Sequence, residues 1–411
     1  MSSPQQRMLA PQYVLQFSCI GPECEDTCCQ GWRVFVDQTT YRTYRRLRHL
    51  ELRPLLDKAV KRNRSNPTPQ HYAKIVMDEK GKCPLLSPEG LCRVHAELGE
   101  EYLCTVCAVY PRINHMVDGV LERSLTMSCP EAARLALLNP QPMEFQLVLE
   151  PMRDRDIGAD ILDTTAHQFG RRLERHFWDV RSFSIELLQD RSYDVWERLV
   201  LLGLFIQKLE QLQSDNPQAI PGLVEEYRRA FADGSLRPSL ANIPPQPIIQ
   251  FKLAKELLDE RSRQSITNKQ YLTCLAQFLA GLQITKEATV EKIGERYKLA
   301  YEEYYLPFMV EHEYIFENYL VNHVFKNCFP LGNRGPFGEY VMLVIHYGLI
   351  KMHLIGMAAY HKGLTEELVI KLIYSFSRVI EHNSAYLTRI YQLLEQSGLA
   401  TMPYMAILIK N

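Results

Sequence analysis

The sequence lacks an excess of charge of either sign, a secretory leader and an uninterrupted apolar run of membrane-spanning length. Its 47 lysine and arginine residues balance 48 aspartate and glutamate residues, so composition favours neither nucleic acid nor a membrane surface as a partner. Residues 1–10 lack the apolar core of a signal peptide, and we expect a cytoplasmic protein with reduced thiols. The apolar stretch Tyr340–Tyr360 contains His346, Lys351 and His353, which would be costly in lipid. A buried helix is predicted there instead of a membrane span.

Cysteine is concentrated in the first third of the chain. Nine of the eleven cysteines lie between Cys19 and Cys129. The density of cysteine therefore changes near residue 130, just before the segment Asn139-Pro140-Gln141-Pro142, where the prolines disfavour continued helix. We predict a cysteine-rich metal domain with little regular strand over residues 1–140 and a multi-helix domain over residues 141–411.

Helical periodicity dominates the second part, so the predicted fold class is mainly α. Apolar residues recur at steps of three and four in two segments, which predicts helices with one buried face: Val195, Leu199, Leu202, Ile206 and Leu209, then Leu368, Leu372, Phe376 and Val379. Thr365 is a predicted N-cap for the second helix. Alternation over residues 143–150 predicts a short strand. The proline-containing segments 237–247 and 330–338 are predicted loops.

The cysteine spacing favours a metal site over the alternatives. Thiolates select zinc, Cu(I) or iron–sulfur clusters. Isolated reduced thiols in a core would not cluster in this way, and a disulfide framework is unexpected without export. The predicted ligands are Cys19, Cys24, Cys28, Cys29, Cys83, Cys92, Cys107 and Cys129.

The spacing alone does not identify the metal or divide the ligands. Only Cys104 and Cys107 form a clean Cys-x-x-Cys pair, whereas structural zinc sites usually present two spaced pairs. Eight thiols exceed the needs of one cluster or one zinc ion. Either two sites exist or some thiols support the others, and Cys104 is left as an odd ninth thiol.

Several motifs resemble the flagellin lysine N-methylase (FliB) family. The resemblance begins with Tyr13-Val14-Leu15-Gln16-Phe17-Ser18-Cys19 and runs through the cysteine segments. It continues in the helical part, and it covers nearly the whole chain. The matching segments include Cys83-Pro84, Leu91-Cys92, Cys107 with Tyr110-Pro111-Arg112, Ser128-Cys129-Pro130, residues 184–191, Glu197-Arg198-Leu199, Asn327-Cys328-Phe329-Pro330 and Ile380-Glu381-His382-Asn383.

The resemblance implies methyl transfer from S-adenosylmethionine to lysine ε-amines of flagellin or another protein, with a [4Fe–4S] cluster on the cysteines. Zinc is the alternative metal. The sequence has no Gly-x-Gly-x-x-Gly loop of an ordinary nucleotide-binding domain, since Gly332, Gly335 and Gly338 fit a turn better. The catalytic residues and the donor site therefore stay unassigned.

Lysine methylation requires that the target amine lose its proton, because the reference pKa of lysine is about 10.4. The segments Tyr301-Glu302-Glu303-Tyr304-Tyr305 and Glu311-His312-Glu313-Tyr314 supply rings and carboxylates suited to a cation. A solvated helix face is the simpler interpretation of each residue.

Three further features favour structural interpretations. His346 and His353 lack a third ligand at metal spacing, and His382 fits a helix end. The basic stretch 33–64 is interpreted as the solvent-exposed edge of helices. Two other functions stay open from the sequence: a noncatalytic metal-binding or metal-delivery protein, and a redox sensor with a helical interaction scaffold.

Overall fold

The computed structural model describes residues 4–30, 32–152, 161–166, 172–285 and 287–411. Eight strands are described, all before residue 163. They are β1 (Gln5–Pro11), β2 (Phe35–Val36), β3 (Val60–Arg62), β4 (Ala73–Ile75), β5 (Arg112–Val117), β6 (Val120–Leu125), β7 (Phe145–Pro151) and β8 (Ile161–Leu162).

Helices make up most of the described chain, which confirms the mainly α fold class. In the first half they are α1 (Gln12–Gln16), α2 (Gln38–Arg46), α3 (Leu52–Ala59), α4 (Arg93–Leu98), α5 (Thr105–Val109), α6 (Pro130–Leu137), α7 (Phe177–Gln189) and α8 (Val195–Asp215).

In the second half, all the regular secondary structure among the described residues is helical. The α-helices are α9 (Ile220–Ala232), α10 (Arg237–Ala241), α11 (Pro247–Ser262), α12 (Lys269–Gly281), α13 (Val290–Ala300), α14 (Leu306–His312), α15 (Tyr314–Lys326), α16 (Gly335–His361), α17 (Glu366–Phe376), α18 (Ser384–Gln396) and α19 (Met402–Ile409). Two π-helical turns, Tyr301–Tyr305 and Ser377–Glu381, interrupt this series.

A five-stranded sheet has the order β7-β1-β6-β5-β8, and a smaller sheet has the order β2-β4-β3. Strand β1 pairs antiparallel with β7, from Gln5 opposite Pro151 to Pro11 opposite Phe145, and parallel with β6. The strand predicted over 143–150 is therefore confirmed as β7. The expectation of little strand in the cysteine-rich part was wrong, because both sheets are built mostly from it.

The hairpin between β5 and β6 has a local explanation. Asp118 and Gly119 connect Val117 to Val120, and both have positive φ angles, 49° and 75°. An Asp-Gly pair takes these angles readily and matches the twist of the flanking strands. The sequence therefore contained a hairpin signal that the helical interpretation missed.

Two hydrophobic cores organise the described residues. The smaller core lies within residues 34–104, and the larger one combines β1, β6 and α6 with the helices. Strand β1 thus packs with elements from both sides of residue 140. The boundary proposed at that residue stays a prediction.

Helix α16 is the centre of the larger core. It is long and apolar enough to span a membrane by composition, but its most apolar window is completely buried in the protein. Helix α12 packs closely against it, since a Cβ on Gly281 would lie 2.0 Å from the Gly356 carbonyl oxygen. The buried helix predicted over residues 340–360 is therefore confirmed.

The helix predictions after residue 190 have mixed outcomes. The apolar stripe predicted from Val195 is buried in α8. In the stripe predicted from Leu368, Leu372 and Phe376 are buried in α17, Leu368 is half-buried, and Val379 is buried in the π-helical turn that follows. The Thr365 side chain accepts a hydrogen bond from the Leu368 amide. The loop predicted over 237–247 was partly wrong, because α10 begins there. Pro238 lies in the first turn of that helix, where its missing N–H costs nothing. The segment 330–338 is a loop only up to Gly335, where α16 starts.

A buried ion-pair network joins α8 to α15. Arg198 is 2% exposed, and its guanidinium lies 2.8 Å from Glu317 and 3.2 Å from Glu313. Arg191 approaches the same Glu317 carboxylate at 2.9 Å. Arg198 also donates to the Leu188 carbonyl, so the charge of this buried guanidinium is compensated on several sides.

Replacing Glu317 by alanine should lower the free energy of unfolding by about 3–5 kcal/mol, because the buried Arg198 then loses its main counter-charge. Urea unfolding followed by circular dichroism measures this change. The matched control is Glu186→Ala, which removes an exposed pair with Arg228 at 3.0 Å and should cost under about 1 kcal/mol. Equal losses in the two variants would contradict a special role for the buried network.

Candidate functional site

The cysteine segments lie in loops and at the starts of short helices. Cys28 and Cys29 share a loop that is tied to the next cysteine segment, because the Cys83 amide donates to the Cys29 carbonyl at 2.9 Å. Cys92 and Cys104 are the N-cap residues of α4 and α5. Helix N-termini favour negative charge, so these two positions suit thiolates.

Six thiols gather at the smaller core, and we call them the thiol group: Cys28, Cys29, Cys83, Cys92, Cys104 and Cys107. All except Cys28 are part of this core or pack against it. The Cys28 and Cys29 sulfur atoms are 3.9 Å apart, and the Cys28 thiol also interacts electrostatically with Cys83 and Cys107. Cys104, which the sequence left without an assignment, belongs to this group because its thiol forms a hydrogen bond with the Cys107 thiol.

The remaining three predicted ligands interact with one another, and one of them, Cys129, lies beside the larger core. Cys129 packs against that core and interacts electrostatically with Cys24, which in turn interacts with Cys19. The structure therefore divides the nine thiols into six and three, a division that the spacing left open.

Hydrogen bonds between neighbouring thiols of the thiol group shift their pKa values in opposite directions. A hydrogen bond with the Cys29 thiol lowers the pKa of Cys28 to about 7 and that of Cys92 to about 6, because the thiol stabilises each thiolate. Burial instead raises the pKa of Cys83 to about 11. Some members of the group thus ionise more easily than an ordinary cysteine.

The thiol group fits a thiolate-ligated metal by donor chemistry. Soft sulfur donors suit zinc or an iron–sulfur cluster, and six of them converge from four chain segments. In the part of the chain that the structure describes, however, no three Cys, His, Asp or Glu side chains form a ready-made metal site. The predicted ligand set and its metal therefore stay predictions.

Arg378 links the cysteine loops to the helical body. This side chain lies in the second π-helical turn, and its guanidinium donates to the Ser128 carbonyl at 2.8 Å and the Thr27 carbonyl at 2.6 Å. It also pairs with Asp26 at 3.0 Å. His382, one turn on, lies 2.9 Å from the Ser128 hydroxyl. Motifs that are far apart in the sequence thus meet at one place.

A second buried polar cluster adjoins this turn. Glu381 accepts from the Tyr319 hydroxyl at 2.6 Å and pairs with Lys326 at 3.1 Å. The rings of His323 and His346 are 5.5 Å apart, and burial lowers the pKa of His346 to about 4. Both His346 ring nitrogens are buried and have no hydrogen-bond partner among the described residues, so the folded protein holds this imidazole neutral at pH 7.

A cavity of about 270 Å³ opens at the N-terminus of α8, between the first π-helical turn and α16. It is lined by Asp194, Val195, Trp196, Tyr301, Tyr305, Leu306, Met309, Val310, Glu313, Phe316, Tyr347, Lys351 and Asn411. We call it the aromatic cavity. It contains two rings and one carboxylate from the segments that the sequence singled out, namely Tyr301, Tyr305 and Glu313.

Other residues of those segments point elsewhere. Glu302, Glu303 and Glu311 are exposed, and His312 stacks on Phe308 with ring centroids 4.0 Å apart. For these positions the simpler interpretation, a solvated helix face, was correct. The π-helical turn explains the difference, because its extra residue per turn changes which side chains share a face.

Sequence reasoning missed Lys351 and Tyr347 on the wall of the aromatic cavity. The Lys351 ammonium lies 5.6 Å from the Tyr301 ring centroid and 5.5 Å from that of Tyr347, and it donates to the Ile409 carbonyl at 2.9 Å. Burial lowers its pKa to about 7. The sequence did contain a signal for this pair. Lys351 interrupts an apolar stretch and follows Tyr347 by four residues, which places both side chains on the same helical face.

Glu313 also lines the aromatic cavity. Its carboxylate accepts from the Val195 amide at 3.0 Å and pairs with Arg198, while 38% of the side chain stays exposed. Burial raises its pKa above the ordinary value. The cavity therefore presents an acid, an amine and several aromatic rings to one small volume.

Comparisons with known proteins connect these features. The family model described as FliB lysine N-methylase C-terminal domain matches residues 181–408. The chain is 24% identical to a lysine-N-methylase of Salmonella typhimurium over 403 residues, 94% of each chain, and equally similar to that of Salmonella choleraesuis. It is 33% identical over 137 residues to the flagellar biosynthetic protein FliU of Salmonella muenchen, covering 32% of this chain and 78% of FliU. No solved structure matches.

The buried histidines predict a loss of stability in acid. Below pH 6.5 His346 binds a proton in the unfolded chain, whereas in the folded protein it stays neutral down to about pH 4. The contribution of neutral His346 to the free energy of unfolding is therefore complete above pH 6.5 and is lost as the pH falls towards 4. One such group contributes up to about 1.4 kcal/mol per pH unit. Unfolding free energies measured between pH 7 and 5 should fall less steeply in His346→Gln than in the original protein.

The control for this experiment is His361→Gln, since His361 is exposed at the end of α16. Its pH dependence should match that of the unchanged protein. An unaltered slope in His346→Gln would show that His346 does not stay neutral in the folded state.

Proposed function

Because this chain belongs to the FliB lysine N-methylase family, we propose that it transfers methyl groups from S-adenosylmethionine to lysine side chains of flagellin or of a related protein in the cytoplasm. The observation that carries this proposal is the match to lysine-N-methylases over 94% of both chains. Lysine methylation is thus the function that best explains the whole chain.

The thiol group supports a role for a metal in this function. We propose that it binds a [4Fe–4S] cluster, with zinc as the alternative, and that Cys19, Cys24 and Cys129 form a supporting or second set. All members of the thiol group except Cys28 lie in or against the smaller core, and the Cys28 and Cys29 sulfur atoms are 3.9 Å apart; thiolates are the ligands that zinc and iron–sulfur clusters select. The residues proposed as ligands are Cys28, Cys29, Cys83, Cys92, Cys104 and Cys107.

The chemistry of the transfer sets requirements on the protein. The lysine nitrogen forms a bond to the methyl carbon, the carbon–sulfur bond of the sulfonium breaks to leave a thioether, and one proton leaves the amine. The protein must therefore accept a proton and exclude water from the reacting amine.

Arg378 is suited to a positioning role. It binds the loops of Cys28 and Cys129 through the carbonyls of Thr27 and Ser128, and its positive charge interacts favourably with the thiolate form of Cys28. Its own burial is offset by Asp26. We propose that this guanidinium orients the cysteine loops relative to the helical part of the protein.

The test uses the full chain purified without oxygen, first analysed for iron, zinc and sulfide. Transfer of labelled methyl from S-adenosylmethionine to purified flagellin is then followed by mass spectrometry of its lysines. Cys28→Ala should lose roughly tenfold or more of this activity, as expected when a metal site is damaged. Cys274→Ala should keep it, since Cys274 is buried in the helical core far along the chain from the thiol group.

Two outcomes would oppose the proposal. Bound metal without any methylated lysine would favour the noncatalytic metal-binding alternative. Oxygen-dependent binding of a partner protein, again without methyl transfer, would favour the redox sensor. Equal activity in Cys28→Ala and Cys274→Ala would remove the thiol group from the mechanism while leaving lysine methylation intact.

A further inference from the structure

We propose that the aromatic cavity is the binding site of the methyl donor, and that it recognises the zwitterionic amino-acid and sulfonium end of S-adenosylmethionine. This inference rests on the proposed function. It assigns a site that the sequence left open, because the chain has no glycine-rich nucleotide loop. Its basis is that one small volume presents groups of both charges together with aromatic faces.

The cavity provides a place for positive charge. The rings of Tyr301 and Tyr305 stack with centroids 5.4 Å apart, and Tyr347 adds a third ring to the wall. Aromatic faces attract cations such as a sulfonium or ammonium group. Glu313 lies beside them, and an α-ammonium group would compensate the part of its carboxylate that Arg198 and the Val195 amide do not use.

The cavity also provides a place for negative charge. Lys351 is 4% exposed, and its ammonium group uses one of three N–H donors on the Ile409 carbonyl. Burial lowers its pKa to about 7, and the neighbouring Glu313 opposes that change. A ligand carboxylate beside Lys351 would favour the charged ammonium in the same way, so ligand and protein would stabilise each other's charges.

The presence of Lys351 decides between the donor and the target lysine. A protein lysine brings no carboxylate to the cavity, so it would leave the Lys351 amine, near the rings of Tyr301 and Tyr347, without an added counter-charge. A ligand carboxylate beside this buried amine would favour its charged form. A ligand with a carboxylate, an ammonium and a sulfonium matches both walls, so the donor is the better occupant.

The size of the cavity agrees with part of the donor. Its volume of about 270 Å³ is slightly below the range of about 300–1,000 Å³ for small-molecule sites. It suits the amino-acid and sulfonium end. Val310, 73% exposed, and Leu306, 39% exposed, belong to the same lining, so the cavity reaches the surface and the nucleoside can extend outwards past them.

The experiment measures binding of S-adenosylmethionine to the purified full chain by calorimetry, independently of methyl transfer. Glu313→Gln and Lys351→Met should each weaken binding about tenfold or more, as expected when a charged hydrogen bond is lost. Glu302→Gln and Lys298→Met are the matched controls, because these side chains form an exposed pair at 3.9 Å in and beside the same π-helical turn. Both controls should bind like the unchanged protein.

Two cavity variants are used because either substitution alone could disturb folding. Glu313→Gln weakens an ion pair with Arg198, whereas Lys351→Met removes a buried amine, so a folding defect would have a different cause in each. Circular dichroism confirms that each one is folded. Equal donor affinity in all four variants would overturn the inference. The same conclusion follows if the two cavity variants lose affinity for a lysine-containing flagellin peptide and keep affinity for the donor.

Parallel methylation assays separate this inference from the proposed function. If the chain methylates lysine and the cavity variants bind the donor normally, the function stands and the donor site lies elsewhere. If the donor binds in the cavity and no lysine is methylated, the site stands and the choice of lysine as acceptor is wrong.

Discussion

Burial of helix α16 is the constraint on which the rest of the structure depends. An apolar helix of 27 residues is stable in water only when other elements cover it on every side. Helices α8, α11, α12, α15, α17 and α19 provide that cover. The arrangement of these helices determines which neighbours surround each polar side chain of α16, so each of these side chains lies in a different environment.

Three polar residues of α16 illustrate this effect. Lys351 faces the aromatic cavity, His346 faces the cluster around Glu381, and His353 lies 3.2 Å from the Tyr271 hydroxyl. Burial disfavours the charged form of all three, as their lowered pKa values show. Helix α16 therefore forms the hydrophobic centre of the protein and also supplies Lys351, the buried amine with a lowered pKa that lines the aromatic cavity.

Local patterns predicted much of this fold, and long-range packing accounts for what they missed. The stripes of α8 and α17, the cap at Thr365 and the strand β7 follow from neighbours within one or two turns. The hairpin at Asp118 had a local signal as well. By contrast, the π-helical turn at Tyr301 depends on its packing against α16, and it determines that Tyr305 lines the cavity while Glu302 meets solvent.

In the candidate site, too, local patterns predicted the residue types, whereas long-range packing determined which residues meet. Spacing predicted that the cysteines are metal ligands, but it could not divide them into groups, because Cys83 and Cys104 join Cys28 only through the folding of the small core. Lys351 was likewise treated only as an obstacle to membrane insertion. Its position between two tyrosine rings depends on helices that are far apart in the chain.

Arg378 gives the cysteine loops a common anchor. The carbonyls of Thr27 and Ser128 bind the same guanidinium, so neither loop can shift without loosening a bond that positions the other. The flanking residues Cys28 and Cys129 are consequently coupled in their motion, although they belong to different thiol sets. A rearrangement of either loop would therefore alter the contacts of a guanidinium that belongs to the second π-helical turn of the helical body.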